Sequence, residues 1–173
     1  IILGAYLNSK LVGCVEIRFN SKHGLKTLSN LKPENIKELR SAELAEANRL
    51  VVHPSFQKSD IVLGLFQKIH TLCMMNGQPD GVIAAEDRLV PLYKKIGFRL
   101  TTTRYPHPVK PNTFLNLMVV YKETYVNLKG INSFLWAMAF EKNHVFLETV
   151  GLTSQSSRGA FFVFRKVFWS AVI

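Results

Sequence analysis

The chain has 173 residues, of which 47% are hydrophobic and 20% charged, and its formal net charge is +10. That length supports one sizeable core, and the balance is that of a folded domain rather than a disordered, collagenous or membrane-embedded chain. The positive excess implies attraction to something acidic, yet the basic residues are dispersed and no zinc-finger, RNP-like or basic-zipper pattern accompanies them, so nucleic acid is not an expected partner.

Residues 1–7 and 11–19 read as two strands joined at Asn8-Ser9-Lys10, a plain hairpin. Residues 20–42 read as a loop with a short inserted helix, since Ser29 or Asn30 and Pro33 precede Glu34, Ile36 and Leu39. The next run, 46–52, is β-prone and stops at His53-Pro54, but it carries Glu46 and Arg49 beside Leu50, Val51 and Val52. A bare strand needs neither charge. His53 reads as an ordinary turn residue before proline. A polar loop, 55–60, leads into a helical pattern with Ile61, Leu65, Phe66, Ile69, Leu72 and Cys73 on one side, and Asp60 suits its N-cap. Residues 79–85 read as a short strand buried on both faces, and 88–98 as a short helix closed by Gly97. After a Pro-rich loop, 105–111, a last strand over 114–121 closes the sheet.

Two apolar helical runs follow, 130–140 and 160–169. The second is interrupted by Arg165 and Lys166 and is too short to cross a bilayer, so it is expected to pack onto the domain, with peripheral membrane contact as the alternative. No signal peptide is visible, and Cys14 and Cys73 read as reduced, buried thiols of a cytoplasmic protein. The five histidines lack ligand spacing, so no metal site is expected.

On Glu46 and Arg49 ahead of a strand-loop-helix unit, and on Tyr93, Gly97 and Phe98 at the end of the later helix, the chain resembles the GNAT acyltransferase superfamily over roughly residues 11–123. The Glu-x-x-Arg spacing is similar to the signature of acyl-homoserine lactone (autoinducer) synthases and long-chain N-acyl amino acid synthases, which use acyl carrier protein as donor. The resemblance implies an α/β, GNAT-like fold with a mixed central sheet over 1–123 and a C-terminal helical extension over 124–173. In that pattern the first hairpin follows a strand and one or two helices, so the chain reads as lacking N-terminal elements.

The implied activity is N-acyl transfer: a long-chain acyl group moves from an acyl-carrier-protein thioester to the amine of an amino acid or similar small metabolite. Acyl-carrier protein, or acyl-CoA, is then a co-substrate, and no cofactor is permanently bound. Val51, Val52, Gln57, Lys58, Ser59 and Asp60 form the implied donor-binding segment. CoA-binding members run Gln/Arg-x-x-Gly-x-Gly/Ala here, so that bare amides cradle a pyrophosphate. Gln57 is retained, but Asp60 and Val62 replace the small residues, which suits a phosphopantetheine donor carrying a single phosphate.

Residues three apart in a regular strand face opposite sides, so Glu46 and Arg49 can share a site only if a β-bulge shifts the register between them. GNAT folds have such a bulge, which exposes a backbone amide to the thioester carbonyl as an oxyanion donor. Glu46 is then the candidate general base, directly or through a water, with Arg49 holding it ionised or binding a substrate carboxylate. Tyr93 is the candidate acid for the leaving thiolate. The alternatives are a structural Glu46–Arg49 ion pair with Tyr93 as a packed aromatic, an acetyl-CoA-dependent N-acetyltransferase, and a non-catalytic GNAT-like module that binds acyl chains or a partner.

Overall fold

The computed structural model describes residues 1–126, except 30, 33, 35, 40–42 and 58, together with residue 151. The expected apolar helices at 130–140 and 160–169, and almost all of the expected extension over 124–173, lie outside the described residues. Six strands form one sheet in the order β1-β2-β3-β4-β6-β5, with β1 spanning Ile2–Leu7, β2 Lys10–Phe19, β3 Leu44–Val52, β4 Asp80–Glu86, β5 Arg99–Pro106 and β6 Phe114–Val120. Every neighbouring pair is antiparallel except β3 and β4, giving the mixed sheet that the order of elements implies.

That parallel pair is joined by helix α1, Ile61–Met75, and it is short. Leu44, Ala45 and Glu46 pair with Asp80, Gly81 and Val82, and beyond these partners the two strands part. Side chains alternate faces along each strand, so the sheet has two covered sides. On one side Ile83, Ala85, Met118 and Val120 pack with Phe66 of α1 and with Tyr93, Ile96 and Phe98 of the segment holding α2, Val90–Lys95. On the other, Val82, Leu117, Val119 and Leu44 pack under Leu25 and Ile36 from the segment between β2 and β3.

Local chemistry accounts for the ends of these elements. At the close of α2 the Gly97 amide donates to the Lys94 carbonyl at 3.1 Å and the Phe98 amide to the Tyr93 carbonyl at 3.0 Å. Gly97 has φ +101, and the Tyr93 and Phe98 rings meet edge-on at 5.7 Å, so the expected glycine cap is a Schellman turn with its apolar contact. Asp60 sits at the N-cap position of α1, but its side chain makes no capping bond; the Ser59 hydroxyl accepts from the Ile61 amide instead, at 3.4 Å. His53 acts in the turn, its Nδ1 accepting from the Ser55 amide at 3.3 Å.

Of the short helix expected within residues 34–39, Glu34 has 3-10 backbone, and 36–39 form a turn in which the Leu39 amide donates to the Ile36 carbonyl at 2.9 Å, with Ile36 buried against Leu25 and Leu44. One expectation fails. The loop expected at 105–111 begins later, because Arg99–Pro106 is strand β5 at the sheet edge, where polar Thr101, Thr102 and Thr103 are tolerated and a terminal proline breaks no ladder.

Candidate active site

The site grows from an irregularity in β3. Cys14 pairs with Val51 and Glu16 with Asn48, so β3 spends one more residue than β2 over the same interval. This is a β-bulge, and Arg49 within it has φ +52. A bulge is therefore present, but the register runs regularly from Glu46 to Asn48 and the extra residue falls at Arg49 and Leu50 rather than between Glu46 and Arg49. It lies beyond the last β3–β4 pair, that of Glu46 with Val82, and a cleft of about 760 Å³ opens there.

The cleft passes from one face of the sheet to the other. Val15, Leu50, Phe66, Ile69, Ile83, Leu89 and Tyr93 make an apolar wall on the helix side. Lys26, Thr27, Asn48, Glu86, Tyr105 and His107 bring polar groups from the opposite side. The volume falls in the range of small-molecule sites, and the mixture of apolar wall and few polar groups is characteristic of them.

Glu46 has 0% exposure and does not itself line this cleft. Its Oε2 accepts from the Lys26 amide at 2.8 Å, and its Oε1 accepts from the Thr27 amide at 2.8 Å and from the Thr27 hydroxyl. Both oxygens are thus engaged by the first two residues of the 3-10 turn Lys26–Leu28, which explains how a carboxylate is tolerated inside the sheet. Tyr105 completes the group. Its hydroxyl is pushed up to about 12, first by burial and then by the Glu46 carboxylate, with the neighbouring Thr27 side chain pulling the other way.

Arg49 does not join Glu46. Its side chain is 68% exposed and its Nη1 lies 3.6 Å from Glu16 Oε2, so the expected Glu46–Arg49 ion pair is replaced by a pair with the neighbouring strand. The bulge turns Arg49 toward the polar face, but the Lys26–Thr27 turn already occupies the carboxylate it was expected to meet. Tyr93 is buried between Phe66 and Phe98, edge-on to both rings, lines the cleft, and has its hydroxyl pushed up by burial.

The expected donor-binding residues stand apart from the cleft lining. Val51 is 57% exposed, Val52 is half-buried, Gln57, Ser59 and Asp60 are exposed, and Lys58 lies outside the described residues. Among the described residues no cluster of His, Cys, Asp and Glu could hold a metal. No described helix is long and apolar enough to cross a membrane.

Several lining residues escaped the sequence. Asn48 carried a usable signal, because it lies two residues from Glu46 and so shares its face; its Nδ2 is buried with no hydrogen-bond partner among the described residues. Tyr105 was hidden in the unrecognised β5. Lys26 and Thr27 sit in an aperiodic segment that carries no local signal.

A family model described as N-acyl amino acid synthase FeeM matches residues 1–120. Among solved structures, FeeM, an N-acyl amino acid synthase from uncultured soil microbes, superposes with a TM-score of 0.60 at 14% identity over 70% of this chain and 68% of that one. MesI, a CoA-dependent acyl-homoserine lactone synthase, gives 0.52 at 14% identity over 80% of this chain and 66% of that one, so the carrier-protein donor expected of that group does not hold for all its members. BjaI, a CoA-dependent acyl-homoserine lactone synthase solved with SAM and isopentyl-CoA, gives 0.52 at 17% identity over 88% and 65%. At such identities these likenesses are of fold, and the chain spans about two thirds of each relative's length. A search of curated proteins finds no match.

Proposed function

Because the chain belongs to the FeeM family of N-acyl amino acid synthases and is thereby an acyltransferase, we propose that it moves a long-chain acyl group from a carrier-protein thioester to the amine of an amino acid or similar small metabolite. One observation carries this reading: the cleft at the bulge has an apolar wall on one side of the sheet and polar groups on the other. An acyl chain suits the first and an amine bearing a carboxylate the second. A backbone amide freed by the bulge supplies the oxyanion donor, Glu46 is the ultimate base, and Tyr93 protonates the departing thiolate. Arg49, exposed at the bulge, is free to turn from Glu16 to a substrate carboxylate.

The donor loop supports a carrier protein over free CoA. Asp60 is exposed and makes no capping bond, so its charge stands where a pyrophosphate would be cradled, while a pantetheine arm brings one phosphate. The net charge of +10 favours an acidic carrier. Two regions follow from the same reading, an acyltransfer core over 1–123 and a helical extension over 124–173, in a protein of the cytoplasm.

The test is mass spectrometry of lipid extracts from cells expressing the protein, wild type against Glu46→Gln. N-acyl amino acids present with the wild type and absent with the variant are expected. Their absence from both, with N-acetylated amines in their place, would move the assignment to acetyl-CoA chemistry.

A further inference from the structure

Glu46 is fully buried and absent from the lining of the 760 Å³ cleft, and among the described residues its carboxylate accepts from Lys26 and Thr27. A buried carboxylate that never meets the substrate can serve as its base only through a group that touches both. Thr27 is such a group, since it lines the cleft and its hydroxyl already donates to Glu46 Oε1. Tyr105 also lines the cleft, with its hydroxyl beside the Thr27 side chain. We infer that Thr27 is a proton relay: its hydroxyl takes the proton shed by the attacking amine as it passes its own proton to Glu46, with Tyr105 as the positioning residue that orients it.

The inference rests on the reading of Glu46 as the base. The amine lone pair forms the N–C bond, and the C–S bond breaks with its electron pair leaving on sulfur. The amine proton goes to Thr27 Oγ1 while the Thr27 proton goes to Glu46 Oε1, leaving a carboxylic acid hydrogen-bonded back to Thr27. Reversal of the relay returns that proton to solvent, the thiolate acquires one, and the net products are an amide and a thiol. The neutral Tyr105 hydroxyl survives this cycle, because burial and the adjacent carboxylate both oppose its ionisation.

The experiment uses the purified chain with dodecanoyl-carrier protein as donor and a mixture of the standard amino acids as acceptors. Thr27→Val keeps the backbone amide on Glu46 and removes only the hydroxyl. It is expected to lower kcat about 100-fold with KM changed less than about 2-fold, as loss of a general-base pathway does. The loss should shrink to about 10-fold or less as the pH is raised past the amine's own pKa, and Thr27→Ser should stay within about 3-fold of wild type. A mere loop-shaping role gives no such alkaline rescue, so a pH-independent loss overturns the relay. Wild-type turnover by Thr27→Val with an inactive Glu46→Gln overturns the relay and leaves the base standing; full activity of both overturns both. If Thr27→Val does not fold, Tyr105→Phe decides: a loss of about 5-fold that alkaline pH reverses supports the relay, and any other result overturns it. No turnover by the wild type with this donor overturns the proposed function and the relay together.

Discussion

Arg49 holds φ +52 in the middle of a strand, a conformation in which an L-residue's Cβ crowds the following carbonyl. Only the bulge demands it, so the site carries backbone strain at a residue just beyond the end of the β3–β4 pairing. Arg49→Gly and Arg49→Ala both remove the guanidinium, but glycine adopts this φ without crowding. Arg49→Gly should therefore be the more stable by about 1 kcal/mol, read from urea midpoints at equal m-value. An equal or more stable alanine variant would show that the strand stores no strain there. Glu46 illustrates the limit of residue spacing as a guide. Its spacing to Arg49 called for a bulge between the two, and the bulge is found at Arg49 and Leu50, with Arg49 paired to Glu16 rather than Glu46. Which group would answer its charge was not legible, because Lys26 and Thr27 lie some twenty residues away in a segment without periodicity.

At the scale of elements, helix and strand periods and the glycine and proline stops made β1, β2, β3, α1, β4, α2 and β6 legible. The miss was β5, whose inward and outward positions are both polar at Thr101 to Thr103, so no apolar alternation marks it. That strand matters because its end, through Tyr105 and Pro106, walls the cleft. Ion pairs link its end and the loop after it to the residues at the end of β4, with one amide hydrogen bond from β6. Glu86 pairs with Lys110 and, at 2.9 Å, with Arg88, while Asp87 meets Arg104 and Asn116, each at 2.7 Å. Lys110 first, then Arg88, hold the Glu86 carboxyl down to about 2. Since its folded value lies below the unfolded one, its stabilisation is present above the ordinary carboxylate range and is lost as pH falls toward 2. Glu86→Gln should thus flatten the acid limb of stability against pH between about 4.5 and 2, leaving stability near pH 7 lower by the ion-pair contribution. An unchanged acid limb in that variant would remove Glu86 from the account, and high salt should blunt the difference because the pairs are exposed.

For the whole molecule, the charge of +10 bears on how a donor arrives. Attraction between a basic enzyme and an acidic carrier acts chiefly on encounter, and salt screens it. With dodecanoyl-carrier protein, KM should rise severalfold between about 0.05 and 0.5 M salt, whereas with a small dodecanoyl-pantetheine thioester it should change little. Equal salt dependence for both would locate the charge effect in the acceptor or the chemistry. Composition announced this electrostatic character without indicating its target, because charge of one sign is shared by every acidic partner.

The three-residue seam between β3 and β4 also bears on how the chain assembles. β1, β2 and β3 are joined antiparallel in sequence order, and β4, β5 and β6 come from one later stretch of chain, so each set forms without the other. Their union requires a parallel register across the intervening loop and helix, and parallel pairing of this kind is among the slowest to nucleate. Since only three residue pairs reward that closure, its timing depends on side chains that span the seam, Phe66 of α1 among them. The opening that admits substrate is thus also a weakly paired joint, and a mutation that shortens the seam further is expected to slow refolding, read by stopped-flow fluorescence, without touching any residue of the reaction.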